Sequence, residues 1–170
     1  MVKVYVLLGF FWMQITFAQK DIFTVARSGS LQEIEVIYKE NPALINKSNE
    51  NGYSPLILAS YRANIPVVKF LIEKGAAINQ SSDMGTALMA ATVKKNTEIA
   101  QLLLEKKADP NLSDPNGTTA LIYAVQFNAP DLIKLLLKYN ASKNGKDKSG
   151  KTAFEYAVFA GNEAIINLLK

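Results

Sequence analysis

The sequence predicts an all-α fold, a solenoid of about five helix-turn-helix units joined by hairpin-like loops. Three observations point there. A short pattern returns along the chain as Gly52-Tyr53-Ser54-Pro55-Leu56, Gly85-Thr86-Ala87-Leu88, Gly117-Thr118-Thr119-Ala120-Leu121 and Gly150-Lys151-Thr152-Ala153-Phe154. Its last residues, 56, 88, 121 and 154, lie 32, 33 and 33 apart. An Ala follows each by three residues (Ala59, Ala91, Ala124, Ala157), and an Asn recurs at unit ends (Asn46, Asn79, Asn111, Asn144). A recurrence of this length means stacked supersecondary units, because a two-helix unit cannot bury its own apolar stripe and adjacent copies can.

Residues 1–18 read as an address and not as part of the solenoid. Met1-Val2-Lys3 is a short positive start, and Val4 to Phe17 is apolar apart from Gly9, Gln14 and Thr16. Thr16-Phe17-Ala18 then puts small residues at the first and third places before Lys20 and Asp21. This is the order of a secretory signal peptide cleaved after Ala18. The rival is an uncleaved membrane anchor, for which the apolar run of about fifteen residues falls short of the ~20 a spanning helix needs. The expectation is an exported domain over 19–170, periplasmic or secreted, out of the membrane once the leader is removed.

The domain divides into units of about 19–48, 49–81, 82–113, 114–146 and 147–170. The first contains Val25-Ala26-Arg27-Ser28-Gly29 and a longer loop with Asn41-Pro42. In the others, Ser54, Thr86, Thr119 and Thr152 are placed to cap a first helix, since a hydroxyl oxygen accepts from the free N–H groups of the first turn. Pro55 follows as a first helical residue, where its missing N–H costs nothing. The first helix is about two turns long, and its Ala face admits a close neighbour. The turns fall at Gly29-Ser30, Ala63-Asn64, Lys95-Asn96, Asn128-Ala129 and Gly161-Asn162, where Gly and Asn tolerate a left-handed backbone. The second helices carry Val68, Leu71 and Ile72; Ala100, Leu103 and Leu104; Ile133, Leu136 and Leu137; and Ile166 and Leu169, at i, i+3, i+4. Polar loops with Gly, Asp and Pro separate the units. Leu168 and Leu169 are expected to end near solvent.

This register, G-x-[ST]-[PA]-L-x-x-A followed by L-[LI]-x-x-x-A-x-x-N, resembles ankyrin repeats of a small, exported, bacterial-type protein. The resemblance covers Asp21 to Lys170, with three internal units matching well and two terminal ones in part. A tetratricopeptide array is the alternative, but its longer helices and Trp/Tyr pattern are absent. The chain departs from the family in having no His: Ile57, Met89, Ile122 and Glu155 stand where the family places one, which implies looser coupling between loops. The third unit has lost one loop residue, so Gly85 sits one place late.

Composition removes most chemistry. The chain has no Cys and no His, which excludes disulfides, thiolate nucleophiles and the commonest general base and zinc ligand. Lys and Arg are spread along the chain with a net charge of +4, unlike the concentrated patch of a nucleic-acid binder. The carboxylates Glu33, Glu35, Glu40, Asp83, Asp109, Asp114 and Asp147 fall on expected solvated faces or loop tips and form no recurring pair. Asp114-Pro115-Asn116-Gly117 is a turn and not a calcium loop, for it lacks the alternating ligands and the closing Glu. Lys143 to Lys151 reads as a solvated hairpin. No catalytic residue, cofactor, metal or small-molecule substrate is expected.

The resemblance implies a working surface. Such arrays bind proteins along a concave face of hairpin tips and first helices. Position by position, that face comprises Tyr53, Tyr61, Arg62, Lys94, Gln126, Phe127, Lys151 and Phe159, with Val93, Thr118 and Lys148 beside them. Aromatic residues and Arg are the types enriched at binding hot spots. The competing reading packs these rings on the adjacent unit. Tyr123 and Tyr156, between Leu and Ala, read as core. The expected function is an exported adaptor or scaffold that binds a partner protein. The alternative is an inhibitor or immunity-type factor covering a partner enzyme, and catalysis by this chain is the weakest of the three.

Overall fold

The structure, a computed structural model, describes residues 21–170; the expected leader lies outside the described residues. Each unit is a pair of antiparallel helices: α1 (Ile22–Ser28) with α2 (Leu31–Glu40), α3 (Pro55–Tyr61) with α4 (Ile65–Glu73), α5 (Ala87–Val93) with α6 (Thr97–Glu105), α7 (Ala120–Gln126) with α8 (Pro130–Lys138), and α9 (Ala153–Phe159) with α10 (Glu163–Leu169). The longer loop after α2 winds into a 3₁₀ turn, Pro42–Asn46, capped by the Asn41 side chain. Two layers result. The first helices pack in a row, α1 on α3, α3 on α5, α5 on α7 and α7 on α9; the second helices form a parallel row behind them.

The caps are where the hydroxyls placed them. Ser54, Thr86, Thr119 and Thr152 each accept from the backbone N–H three residues on. Ala59, Ala91, Ala124 and Ala157 are fully buried between helices of the front row. The core runs between the layers through Leu56, Leu71, Leu88, Ile99, Leu103, Leu121, Ile133 and Leu136. Burying one such side chain is worth roughly 1.5–3 kcal/mol, so the stack depends on every interface being filled. Leu169 departs from expectation: it is only 4% exposed, because α10 packs back on α8 and α9.

The turns also differ in detail. The left-handed residue is the first of each pair, Ala63, Lys95, Asn128 and Gly161 (φ from 50° to 63°), while Gly29 is extended. Asn is second at 64, 96 and 162; the Asn96 and Asn162 side chains cap the next helix, whereas the Asn64 side chain turns back to donate to the carbonyls of Ala26 and Gly29. Position in the turn, and not residue type, assigns the conformation, so Ala63 and Lys95 hold it against their Cβ atoms.

Three hairpins share one construction. Asn49, Asp114 and Asp147 each accept at Oδ1 from the backbone N–H two and four residues on, and Gly52, Gly117 and Gly150 complete the turn at positive φ. The third unit's hairpin is shorter. Strands β1 (Ser81–Ser82) and β2 (Gly85–Thr86) pair directly around Asp83-Met84, with Ser82 in place of the Asn or Asp.

Candidate functional site

The front row ends each first helix at one face. Tyr61, Val93, Gln126 and Phe159 are its final residues in successive units, and Arg62, Lys94, Phe127 and Ala160 the caps that follow. Six of the eight expected contact residues therefore occupy two repeating positions. Their aromatics are open to solvent: Tyr61 is 36% exposed, Phe127 39% and Phe159 86%. The other two, Tyr53 and Lys151, precede the cap hydroxyls; Tyr53 is half-buried and Lys151 exposed. Thr118, at the same position, is 7% exposed and offers a partner little, because the next hairpin lies over it.

Two places on this face are organised. The larger is a groove of about 370 Å³ across units one to four. Ile57, Leu58, Ala90 and Val93 give it apolar walls, with Tyr53, Tyr61 and Tyr123 among them and Met84 from the short hairpin. Arg27 and Arg62 are the charged lining residues. Lys94 stands 5.0 Å over the Tyr61 ring at its edge. The second place is at the far end, where Lys151 lies 5.5 Å over both Tyr156 and Phe159. Phe127 stacks on Tyr123 at 6.2 Å between the two.

Sequence reasoning missed Arg27, Met84, Ile57, Leu58, Ala90 and Tyr123. Tyr123 was expected in the core; its ring lines the groove while its hydroxyl reaches inward to Asp114 Oδ2 at 2.6 Å. Asp114 itself corrects the expectation of a solvated carboxylate, for it is 6% exposed. Burial, with the Asp114 carboxylate beside it, pushes the Tyr123 hydroxyl up to about 12. The Tyr156 hydroxyl makes the same bond to Asp147 at 2.5 Å in an open setting. That bond and the Ser149 hydroxyl pull Asp147 down to about 2.

The most perturbed groups are tied into hairpins, and among the described residues no three or more His, Cys, Asp or Glu gather to hold a metal ion. Among those residues, too, no helix is long and apolar enough to cross a membrane.

The comparisons agree with the repeat register. A family model described as "Ankyrin repeats (3 copies)" matches residues 22–114 and 106–170. The "Ankyrin repeat and SAM domain-containing protein 6" of Rattus norvegicus is 37% identical over 113 residues, 65% of this chain and 13% of that protein. A "BTB/POZ domain-containing protein 3" of Schizosaccharomyces pombe is 34% identical over 65 residues, 38% of this chain and 12% of its own. The human "DNA-binding protein RFXANK" is 38% identical over 56 residues, 33% of this chain and 22% of that protein. The chain thus spans under a quarter of the length of each.

Proposed function

Because the chain belongs to the ankyrin-repeat family, whose repeats are generally protein–protein interaction modules, we propose that it is an exported adaptor that holds a partner protein on its front row of helices. The observation that carries this is the groove flanked by exposed Tyr61 and Phe127. Exposed aromatics above an apolar recess are what anchors of a hot spot need. The export reading is supported by the order of residues 1–18, and with it comes a periplasmic or secreted location. An inhibitor that covers a partner enzyme would use the same face.

The test is capture of partners by the mature protein in its own envelope fraction, compared with Tyr61→Ala/Phe127→Ala. Both rings are exposed, so circular dichroism should show an intact fold. Affinity for a captured partner should fall by roughly 2–4 kcal/mol. Lys94→Glu and Lys151→Glu should instead slow association and change its salt dependence, as rim charges do. A folded double aromatic variant with unchanged affinity places the contact elsewhere, and one that unfolds returns both rings to the core.

A further inference from the structure

Building on the protein-binding reading, we infer that the groove takes a partner segment in which an apolar side chain is flanked by carboxylates. The distribution of charge carries this. The first helices α1, α3, α5 and α7 contain no Asp or Glu. Every second helix contains at least one. Over the first four units the helical acids are thus sorted to the second helices, and Arg27, Arg62 and Lys94 stand at the ends of the first helices α1, α3 and α5. The front-row exception is Glu155 of α9, in the fifth unit, which is tied to Thr152 at its own cap.

Two of those cations, Arg27 and Arg62, line the groove, and neither is ion-paired with a carboxylate among the described residues. Lys94 adds a third positive charge beside Tyr61. Cations at helix C-termini also suit the dipole. The dipole does not account for two guanidinium groups lining one apolar recess. Asp114, behind Tyr123, is not among the lining residues and makes no ion pair with either arginine; its oxygens are engaged by Asn116, Thr118 and Tyr123. Asp83 is at the hairpin tip outside the lining.

The chemistry of the occupant follows. A guanidinium meets a carboxylate through two parallel N–H···O bonds, which Lys cannot copy. Apart from the two arginines the lining is aliphatic and aromatic, carries no further charge, and includes Met84, which adapts to irregular shapes. A volume of about 370 Å³ is at the small end for binding pockets and suits one or two anchoring side chains. A basic or purely polar segment would leave the arginines facing like charge or the floor unfilled.

The experiment selects short random peptides on the full chain and measures the affinities of the enriched sequences by fluorescence anisotropy. Enriched peptides should combine Asp or Glu with Leu, Ile, Phe or Met. Arg62→Gln should weaken them by about tenfold, and Arg27→Glu/Arg62→Glu by more, with shallower salt dependence. Circular dichroism checks that each variant is folded. The doubly reversed variant should also gain affinity for Lys-flanked versions of the same peptides. Neutral or basic peptides, no enrichment, or affinities indifferent to both variants would overturn the inference. So would dodecanoate that binds the groove more tightly than any selected peptide, which would assign it to a free amphiphile. A natural partner lost by Tyr61→Ala/Phe127→Ala but held unchanged by the doubly reversed variant would leave the protein-binding reading standing and remove this one alone.

Discussion

Replacing Asp114 with Ala should be among the most damaging single changes at a loop. Its carboxylate accepts from the backbone of Asn116 at 2.8 Å, the backbone of Thr118 at 2.9 Å and the Tyr123 hydroxyl at 2.6 Å. Asn116 is exposed and will find water, so its loss is small. Thr118 is buried and Tyr123 half-buried, so their donors are left without a partner. A hydrogen bond to a charged group is worth about 1.5–3 kcal/mol, and two such losses with partial relaxation come to about 3 kcal/mol. Urea unfolding followed by circular dichroism measures the difference. Asp147→Ala removes the same three kinds of bond, and one more from the Ser149 hydroxyl, in an open hairpin and is the internal control; it should still lose less. Asp114→Asn keeps an acceptor for both backbone groups, as Asn49 does in its own hairpin, and should recover about half of the loss. If Asp114→Ala costs no more than its less buried counterpart, or less than about half a kilocalorie, burial is not what gives this carboxylate its weight.

The remaining predictions concern the core, the turns and pH. Leu103→Ala should cost roughly 2–5 kcal/mol in the same unfolding assay, because Leu103 has no exposed surface; a loss below about half a kilocalorie would place it outside the core. Lys95→Gly should stabilise by about 0.5–1 kcal/mol, since relief of the Cβ at φ 54° exceeds the added freedom of the unfolded chain, and a loss of stability would refute the strain. Tyr123 binds its proton more tightly folded than unfolded. Its contribution is therefore complete below pH 10 and lost as pH rises from 10 to about 12, and the slope of stability in that window should flatten in Tyr123→Phe. Asp147 has the opposite sign. Its contribution is present above pH 3.8 and lost as pH falls to about 2, so Asp147→Asn should flatten the acid limb.

What was legible in the sequence is what each unit decides for itself. The cap hydroxyls, the Ala face and the apolar stripes depend on residues a few places apart, and they stand where the spacing put them. What was not legible is set by the neighbouring unit. Asp114 is buried because the next hairpin lies against its own: the Lys148 N–H donates to the Asn116 carbonyl at 2.8 Å, and a Cβ on Gly117 would meet Asp147 backbone at 3.0 Å. One signal of it was present. Asp114 and Asp147 each have a Tyr nine residues on, at 123 and 156, whereas Asn49 has Leu58 there. An acceptor with spare capacity is matched by a hydroxyl, and the amide by an apolar side chain. The groove was illegible for a related reason. The missing loop residue before Gly85 was visible, but that Met84 would stand beside Tyr53 and Tyr61 of the preceding unit needed the stack.

The missing His does not leave the units loosely joined. Ile57, Met89 and Ile122 are buried where the family places it, so three of the four sites now carry core, and the fourth, Glu155, is exposed and caps its own helix with Thr152. The link moves to the Asn that ends each unit. Asn46 Oδ1 accepts from the Ala77 N–H at 2.8 Å, Asn79 from Asp109 at 2.9 Å and Asn111 from Ser142 at 2.7 Å, each time one unit further on. Asn64 ties α3's turn back to the carbonyls of Ala26 and Gly29. The stability of a solenoid is a sum of unit terms and interface terms. A bond worth about 0.5–1.5 kcal/mol at each interface acts on the second, holding neighbours in register. The groove spans several units, so its shape persists only while they keep that register. The Asn ladder therefore bears on binding without touching the partner.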